Sequence, residues 1–100
     1  MPPDTSEFSY PRPNLIVSRS GYLVEVRLPN TIFYAEGDRR MAISVEALAT
    51  TEPKLAIRRK DVKKWIKANQ ESAVSDDERD RILQNIHRAF DFKGWILDVE

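Results

Sequence analysis

The chain has 100 residues and a mass of 11.6 kDa, which suits one compact domain and is too short for two independent cores. Basic and acidic residues number 16 each, so the formal net charge is zero and gives no overall attraction to nucleic acid or anionic lipid. The absence of cysteine excludes disulfides, thiolate metal sites and thiol nucleophiles. No apolar run approaches the roughly 20 residues of a membrane span, and a secretory signal pattern is missing, so we expect a cytoplasmic protein.

Prolines and alternating apolar residues organise the first half of the chain. Residues 1–13 hold four of the six prolines, a density that disfavours helices and paired strands, so we expect a flexible proline-rich arm before a single domain over residues 14–100. A helical turn is expected over residues 46–49. Alternation of apolar and polar residues, with turn residues between the segments, predicts antiparallel strands over residues 15–17, 22–28, 31–35, 39–45 and 54–59.

Helical spacing begins after the last of these strands. Val62, Trp65 and Ile66 fall at positions i, i+3 and i+4. Asp61 precedes them as a capping residue, so a short helix is expected here.

The clearest local signal predicts a long helix over residues 76–92. Ser75 and Glu78 have the spacing of a capping box at its start, and Gly94 stands where a left-handed residue ends a helix. A strand over residues 95–100 follows. The apolar stripe of the long helix comprises Ile82, Leu83, Ile86, Ala89 and Phe90.

The order of these elements predicts an α+β fold. A mostly antiparallel β-meander is followed by a short helix, a long amphipathic helix and a C-terminal strand, with the helices on one face of the sheet. Such a sheet has edge strands, and pairing of an edge with a second copy remains open as a route to a homodimer.

Catalysis and cofactor binding find little support in the sequence. The three glycines are isolated and cannot form a dinucleotide or phosphate-binding loop. His87 stands four residues before Asp91, a spacing that permits a catalytic dyad but also fits the commoner surface ion pair of a helix. We therefore expect no cofactor, no metal site and no enzymatic activity, with a small hydrolase at this pair as the weakest alternative.

Basic side chains concentrate in one segment although the total charge is zero. Residues 54–67 hold seven basic side chains and a single acidic one. A patch of this kind can neutralise phosphates, so a nucleic-acid-binding or regulatory module is the second functional hypothesis. The alternative is a solvated helix face with Trp65 in the core. The basic residues are Lys54, Arg58, Arg59, Lys60, Lys63, Lys64 and Lys67.

Acidic side chains gather at a predicted hairpin turn and at the start of the long helix. An acidic surface raises the rate and specificity of association with a basic protein, although ordinary solvation is the simpler explanation of any single carboxylate. The candidate partner contacts, with a neighbouring tyrosine, are Tyr34, Glu36, Asp38, Asp76, Asp77, Glu78 and Asp80.

Several short segments resemble one family of small bacterial proteins. In chain order they are YAEGDRR (34–40), SVEAL (44–48), IRRKDVKKW (57–65), SDDERDRIL (75–83), RAF (88–90) and KGW (93–95). Over roughly residues 14–100 the chain resembles immunity protein 74, a family of polymorphic toxin systems. The resemblance implies a non-enzymatic cytoplasmic antidote that binds and neutralises a cognate toxin, encoded by a neighbouring gene, and it transfers no catalytic or binding residues.

Overall fold

The computed structural model describes residues 7–27, 30–47 and 54–100, which form a curled sheet and a long helix. The fold is α+β, as the order of predicted elements indicates. The elements are β1 (Phe8–Arg12), β2 (Leu15–Ser18), β3 (Tyr22–Arg27), β4 (Thr31–Glu36), β5 (Arg39–Ala47), β6 (Lys54–Ile57), β7 (Lys64–Lys67), β8 (Gln70–Ala73), α1 (Asp76–Lys93) and β9 (Ile96–Val99).

The sheet is an antiparallel meander through its first five strands. Besides β4, the long strand β5 has two further partners. Its first half meets β7 at Arg40 opposite Ile66, and its second half meets β6 from Val45 opposite Ile57. The last strand, β9, pairs with β6 in parallel. A parallel pair needs a long crossover connection, which the hairpin β7–β8 and the helix α1 provide.

The core lies between one side of the sheet and α1. The predicted apolar stripe of the helix is confirmed. Ile82, Ile86 and Ala89 are fully buried, and Leu83 and Phe90 are nearly so. Burial of one large aliphatic side chain stabilises the folded state by roughly 1.5–3 kcal/mol relative to leaving it exposed. The inward residues of the sheet include Ile16, Tyr22, Val24, Val26, Ile32, Tyr34, Met41, Ile43, Val45, Leu55 and Ile57.

The two ends of α1 are fixed by the residues that the sequence indicates. The Ser75 hydroxyl accepts a hydrogen bond from the Glu78 N–H at 3.2 Å, and the Glu78 carboxylate accepts one from the Ser75 N–H at 3.0 Å. Gly94 adopts the left-handed conformation with φ 73°, and its N–H donates to the Asp91 carbonyl. Both ends of the helix are therefore closed by local chemistry.

The short helix expected around Trp65 is absent, and this prediction is wrong. A 3-10 turn over Arg59–Asp61 leads into the hairpin β7–β8, whose two turn residues, Ala68 and Asn69, have φ values of 51° and 65°. Two left-handed residues in a two-residue loop match the right-handed twist of a hairpin. The apolar spacing misled because Val62 is buried just before β7 and Trp65 is buried within it.

The edge strand β1 also differs from the sequence-based expectation. It pairs with β2 although prolines predicted an unpaired arm, and the register of the pairing shifts between Ser9 and Arg12, where Pro11 lies. An edge strand tolerates proline because one of its edges needs no hydrogen-bond partner. Residues 1–6 of the predicted arm lie outside the described residues.

Two further predicted features fall partly outside the described residues. The helical turn expected over residues 46–49 begins inside β5, which continues to Ala47, and its last two residues are not described. Leu28, the last residue of the predicted strand 22–28, also lies outside the described residues.

Candidate partner-binding surface

The turn between β4 and β5 lies against the start of α1. Arg39 joins them, because its guanidinium is 3.6 Å from the Glu36 carboxylate and 3.1 Å from that of Glu78. Arg81 adds a bidentate contact to Glu36 at 2.7 and 3.0 Å. The two acidic groups that the sequence indicates separately are therefore adjacent. We call this surface the charged end; its residues are Glu36, Asp38, Arg39, Arg59, Lys67, Asp76, Asp77, Glu78, Arg79, Asp80 and Arg81.

Tyr34, one of the candidate contacts, lies beneath this surface. Its side chain is fully buried. Its hydroxyl donates to Glu36 at 2.5 Å and accepts from the Asn85 amide at 2.8 Å. Burial raises the pKa of the Tyr34 hydroxyl, so it remains a proton donor at neutral pH. Tyr34 therefore positions the Glu36 carboxylate and does not itself reach a partner.

Trp65 supports the charged end from the core. It is 1% exposed, which confirms its interpretation as a core residue. The Arg39 guanidinium carbon lies 4.2 Å from the centroid of the Trp65 ring. A cation–π contact of this kind contributes about 0.5–1 kcal/mol near a surface. Arg39 is thus held by two carboxylates and an aromatic ring, and its orientation is fixed.

Cations accompany nearly all of the carboxylates at the charged end. Asp77 alone has no ion pair with any described residue. The charged end is therefore a mosaic of both signs rather than the acidic surface that the sequence predicts. The remaining pairs are Asp38 with Lys67 at 3.1 Å, Asp76 with Arg79 at 2.6 Å and Asp80 with Arg59 at 2.5 Å.

Local contacts favour the ionised forms of three side chains at the charged end, Glu78, Asp38 and Arg81. The Ser75 N–H, and then the Arg39 guanidinium, lower the pKa of Glu78 to about 2. Lys67 lowers the pKa of Asp38, and Glu36 raises the pKa of Arg81. Glu78, Asp38 and Arg81 thus retain their charges throughout the physiological pH range.

The basic segment is divided among three elements of the fold. Lys54 lies in β6. The other basic residues lie in or beside the 3-10 turn (Arg58, Arg59 and Lys60) or in or beside β7 (Lys63, Lys64 and Lys67). Arg58 pairs with Asp61 at 3.2 Å and Lys64 with Glu71 at 3.3 Å, in addition to the pairs of Arg59 and Lys67 at the charged end. These carboxylates offset much of the positive charge that a nucleic acid would meet.

His87 and Asp91 are in contact on the outer side of α1, with 3.3 Å between Nδ1 and the nearer carboxylate oxygen. The two side chains are 55% and 66% exposed. This is the geometry of a helix surface pair, since both groups stand in solvent rather than in a cleft.

The described ranges contain neither a cluster of metal ligands nor a membrane-spanning helix. Within them, no three histidine, aspartate or glutamate side chains are grouped so as to hold a metal ion. No helix there is both long enough and apolar enough to span a bilayer.

A comparison with protein families decides the kinship of the chain. Residues 25–100 match the model of immunity protein 74. The chain belongs to the immunity protein 74 family. This confirms the resemblance in the sequence, and the matched region contains the whole charged end. Immunity proteins are generally non-enzymatic, and their family implies a toxin partner in general terms. No curated protein and no solved structure gives a significant match.

Proposed function

We propose that this immunity protein 74 member is a non-enzymatic antidote of a bacterial polymorphic toxin system, which binds a cognate toxin in the cytoplasm and blocks it by direct contact. The observation that carries this proposal is the family match over residues 25–100. The toxin is expected to be the product of a neighbouring gene.

The charged end is the contact surface that we propose, through Glu36, Asp38, Asp76, Asp77, Glu78 and Asp80, with Tyr34 as support from below. Ion pairs among the described residues already hold five of these six carboxylates, all except Asp77, so binding loses little conformational entropy there. Arginine is enriched among the residues that dominate interface energetics, and Arg39 and Arg81 are fixed in place here.

The mosaic of charges gives this surface a basis for specificity. A partner with the complementary arrangement replaces the water around each exposed charge with an opposite charge. A partner with the wrong arrangement leaves like charges facing each other, which costs several kcal/mol. The charged end would therefore select one toxin and exclude related ones.

Co-expression with the product of the adjacent toxin gene tests the proposal. The wild-type protein should restore growth and co-purify with the toxin as a stoichiometric complex. Asp77→Lys reverses an exposed charge without breaking an ion pair among the described residues, and should raise the dissociation constant by about tenfold or more. Asp91→Lys makes the same charge change at the other end of α1 and should leave binding unchanged.

Two results would contradict the proposal at different levels. Failure of the wild-type protein to rescue growth or bind the toxin removes the antidote function itself. Equal weakening by Asp77→Lys and Asp91→Lys removes the charged end as the contact. Affinity for DNA or RNA that falls steeply with salt, and falls further on replacement of Lys60 or Lys63, would instead favour the nucleic-acid module.

A further inference from the structure

The large apolar side chains that stay exposed in the described part of the chain lie around the far end of α1. Tyr10 is 37% exposed and Phe92 43%, and Ile96 and Val99 are 40% exposed each. The Tyr10 ring packs against Trp95 at 6.4 Å, so β1 meets the chain that leads into β9. A helix of 18 residues separates this region from the charged end by about 27 Å. We call it the apolar corner; its residues are Phe8, Tyr10, Phe92, Trp95, Ile96, Leu97 and Val99.

One edge of β9 has no partner strand at this corner among the described residues. The other edge pairs with β6, and the Glu100 N–H continues that pairing by donating to the Ile57 carbonyl at 2.8 Å. Backbone groups alternate between the two edges of a strand, so those of Asp98 also face β6, and those of Leu97 and Val99 face away from it. No further strand pairs with β9 among the described residues.

We propose that this free edge pairs antiparallel with the same edge of a second copy, with Leu97 of each copy at the two-fold axis. The two Leu97 residues then exchange both backbone hydrogen bonds, because their N–H and C=O groups face the interface. In the same register, Val99 of one copy lies beside Trp95 of the other. Two exposed apolar regions thereby cover each other.

Charge favours this register over its nearest competitor. Centring the pair on Leu97 places Asp98 opposite Ile96 of the second copy. Centring it on Asp98 instead places the two Asp98 carboxylates directly opposite each other, which is destabilising.

A second copy suits this edge better than an unrelated strand because the edge is complementary to itself. Two-fold antiparallel pairing continues the sheet with the same face up, so Leu97 meets Leu97 on the helix side. Tyr10, in contact with Trp95, is carried towards Val99 of the other copy and enlarges the apolar contact. The charged ends lie at the opposite ends of the two helices and stay accessible.

Sedimentation and light scattering on the purified chain test this dimer without any toxin. The wild-type mass should rise with concentration from 11.6 kDa towards twice that value. Val99→Pro removes an N–H that β6 does not use, and should raise the dimer dissociation constant at least tenfold. Ala73→Pro is the matched control, because Ala73 lies on a different free edge, in β8, where the Val74 N–H donates inwards to the Lys63 carbonyl.

A charge exchange tests the register and leaves the backbone untouched. Ile96→Lys places a cation opposite Asp98 of the second copy, twice by symmetry, and should lower the dissociation constant several-fold at low salt. Adding Asp98→Lys places two cations opposite each other and should reverse the effect. The double variant is the decisive comparison if Val99→Pro fails to fold, as judged by circular dichroism.

Three outcomes would overturn the proposal. The first is a mass that stays at 11.6 kDa up to millimolar concentration. The second is dissociation by Ala73→Pro but not by a folded Val99→Pro. The third is weaker association of Ile96→Lys, because an apolar contact outside the proposed register would lose affinity on gaining a charge.

Discussion

The two ends of α1 differ in the groups that they expose to solvent. At its start, nearly every exposed carboxylate has a cation beside it, and Arg39 is held from three sides. At its end, apolar rings and a strand edge face solvent. The first surface suits a partner that matches a fixed pattern of charges, and the second suits a partner that supplies a strand. One helix therefore separates the two proposed recognition surfaces, which could act together without competing.

The largest effect on this contrast should come from Trp65→Ala. The substitution removes a fully buried ring from the core and the support beneath Arg39, and should lower the free energy of unfolding by about 3–5 kcal/mol. Urea denaturation measures the loss. Trp65→Phe keeps an aromatic ring and should lose distinctly less. Equal losses for both variants would show that filling this site matters little.

A smaller effect, confined to the charged end, is expected for Tyr34→Phe. The ring stays in place, but Glu36 loses a donor and the Asn85 amide loses an acceptor. The free energy of unfolding should fall by about 1–2 kcal/mol. Dimer mass should not change, since the hydroxyl that is removed bonds only Glu36 and Asn85 among the described residues and neither lies in β9. A change in dimer mass would mean that the two ends are coupled.

A third effect, which is seen only on acidification, is a pH dependence that originates at Glu78. Its pKa is lowered from 4.5 to about 2 in the folded chain, so the unfolded chain takes up the proton first as the pH falls. The stability that this carboxylate adds is present above about pH 4.5 and is lost on acidification through pH 2. Glu78→Gln should flatten the slope of unfolding free energy against pH in this window. An unchanged slope would assign the acid sensitivity to other carboxylates.

The sequence predicts α1 well because its signals are local. The spacing of Ile82 and Ile86, the capping box at Ser75 and the glycine after the last turn all act within a few residues. The hairpin β7–β8 was missed because its turn pair, Ala68 and Asn69, is not one of the common hairpin pairs.

The candidate surface was only partly predictable for a different reason. The carboxylates of Glu36 and Glu78 stand out in the sequence, but their shared partner Arg39 is chosen by tertiary contact. The alternation of β4 leaves open whether Phe33 or Tyr34 points inwards. Pairing with β3 and β5 places Tyr34 on the core side, and this converts an apparent contact residue into a buried support.

The charged end draws its residues from four separate stretches of chain, so it exists only when the whole domain is folded. A toxin that binds there would bind only the folded state. It would raise the free energy of unfolding by about 4.1 kcal/mol when the free toxin concentration is a thousand times the dissociation constant. If the proposed function holds, molecules without a bound toxin would lack that protection. They would be the first to reach the cell's proteases, and their turnover would rise as the toxin supply falls.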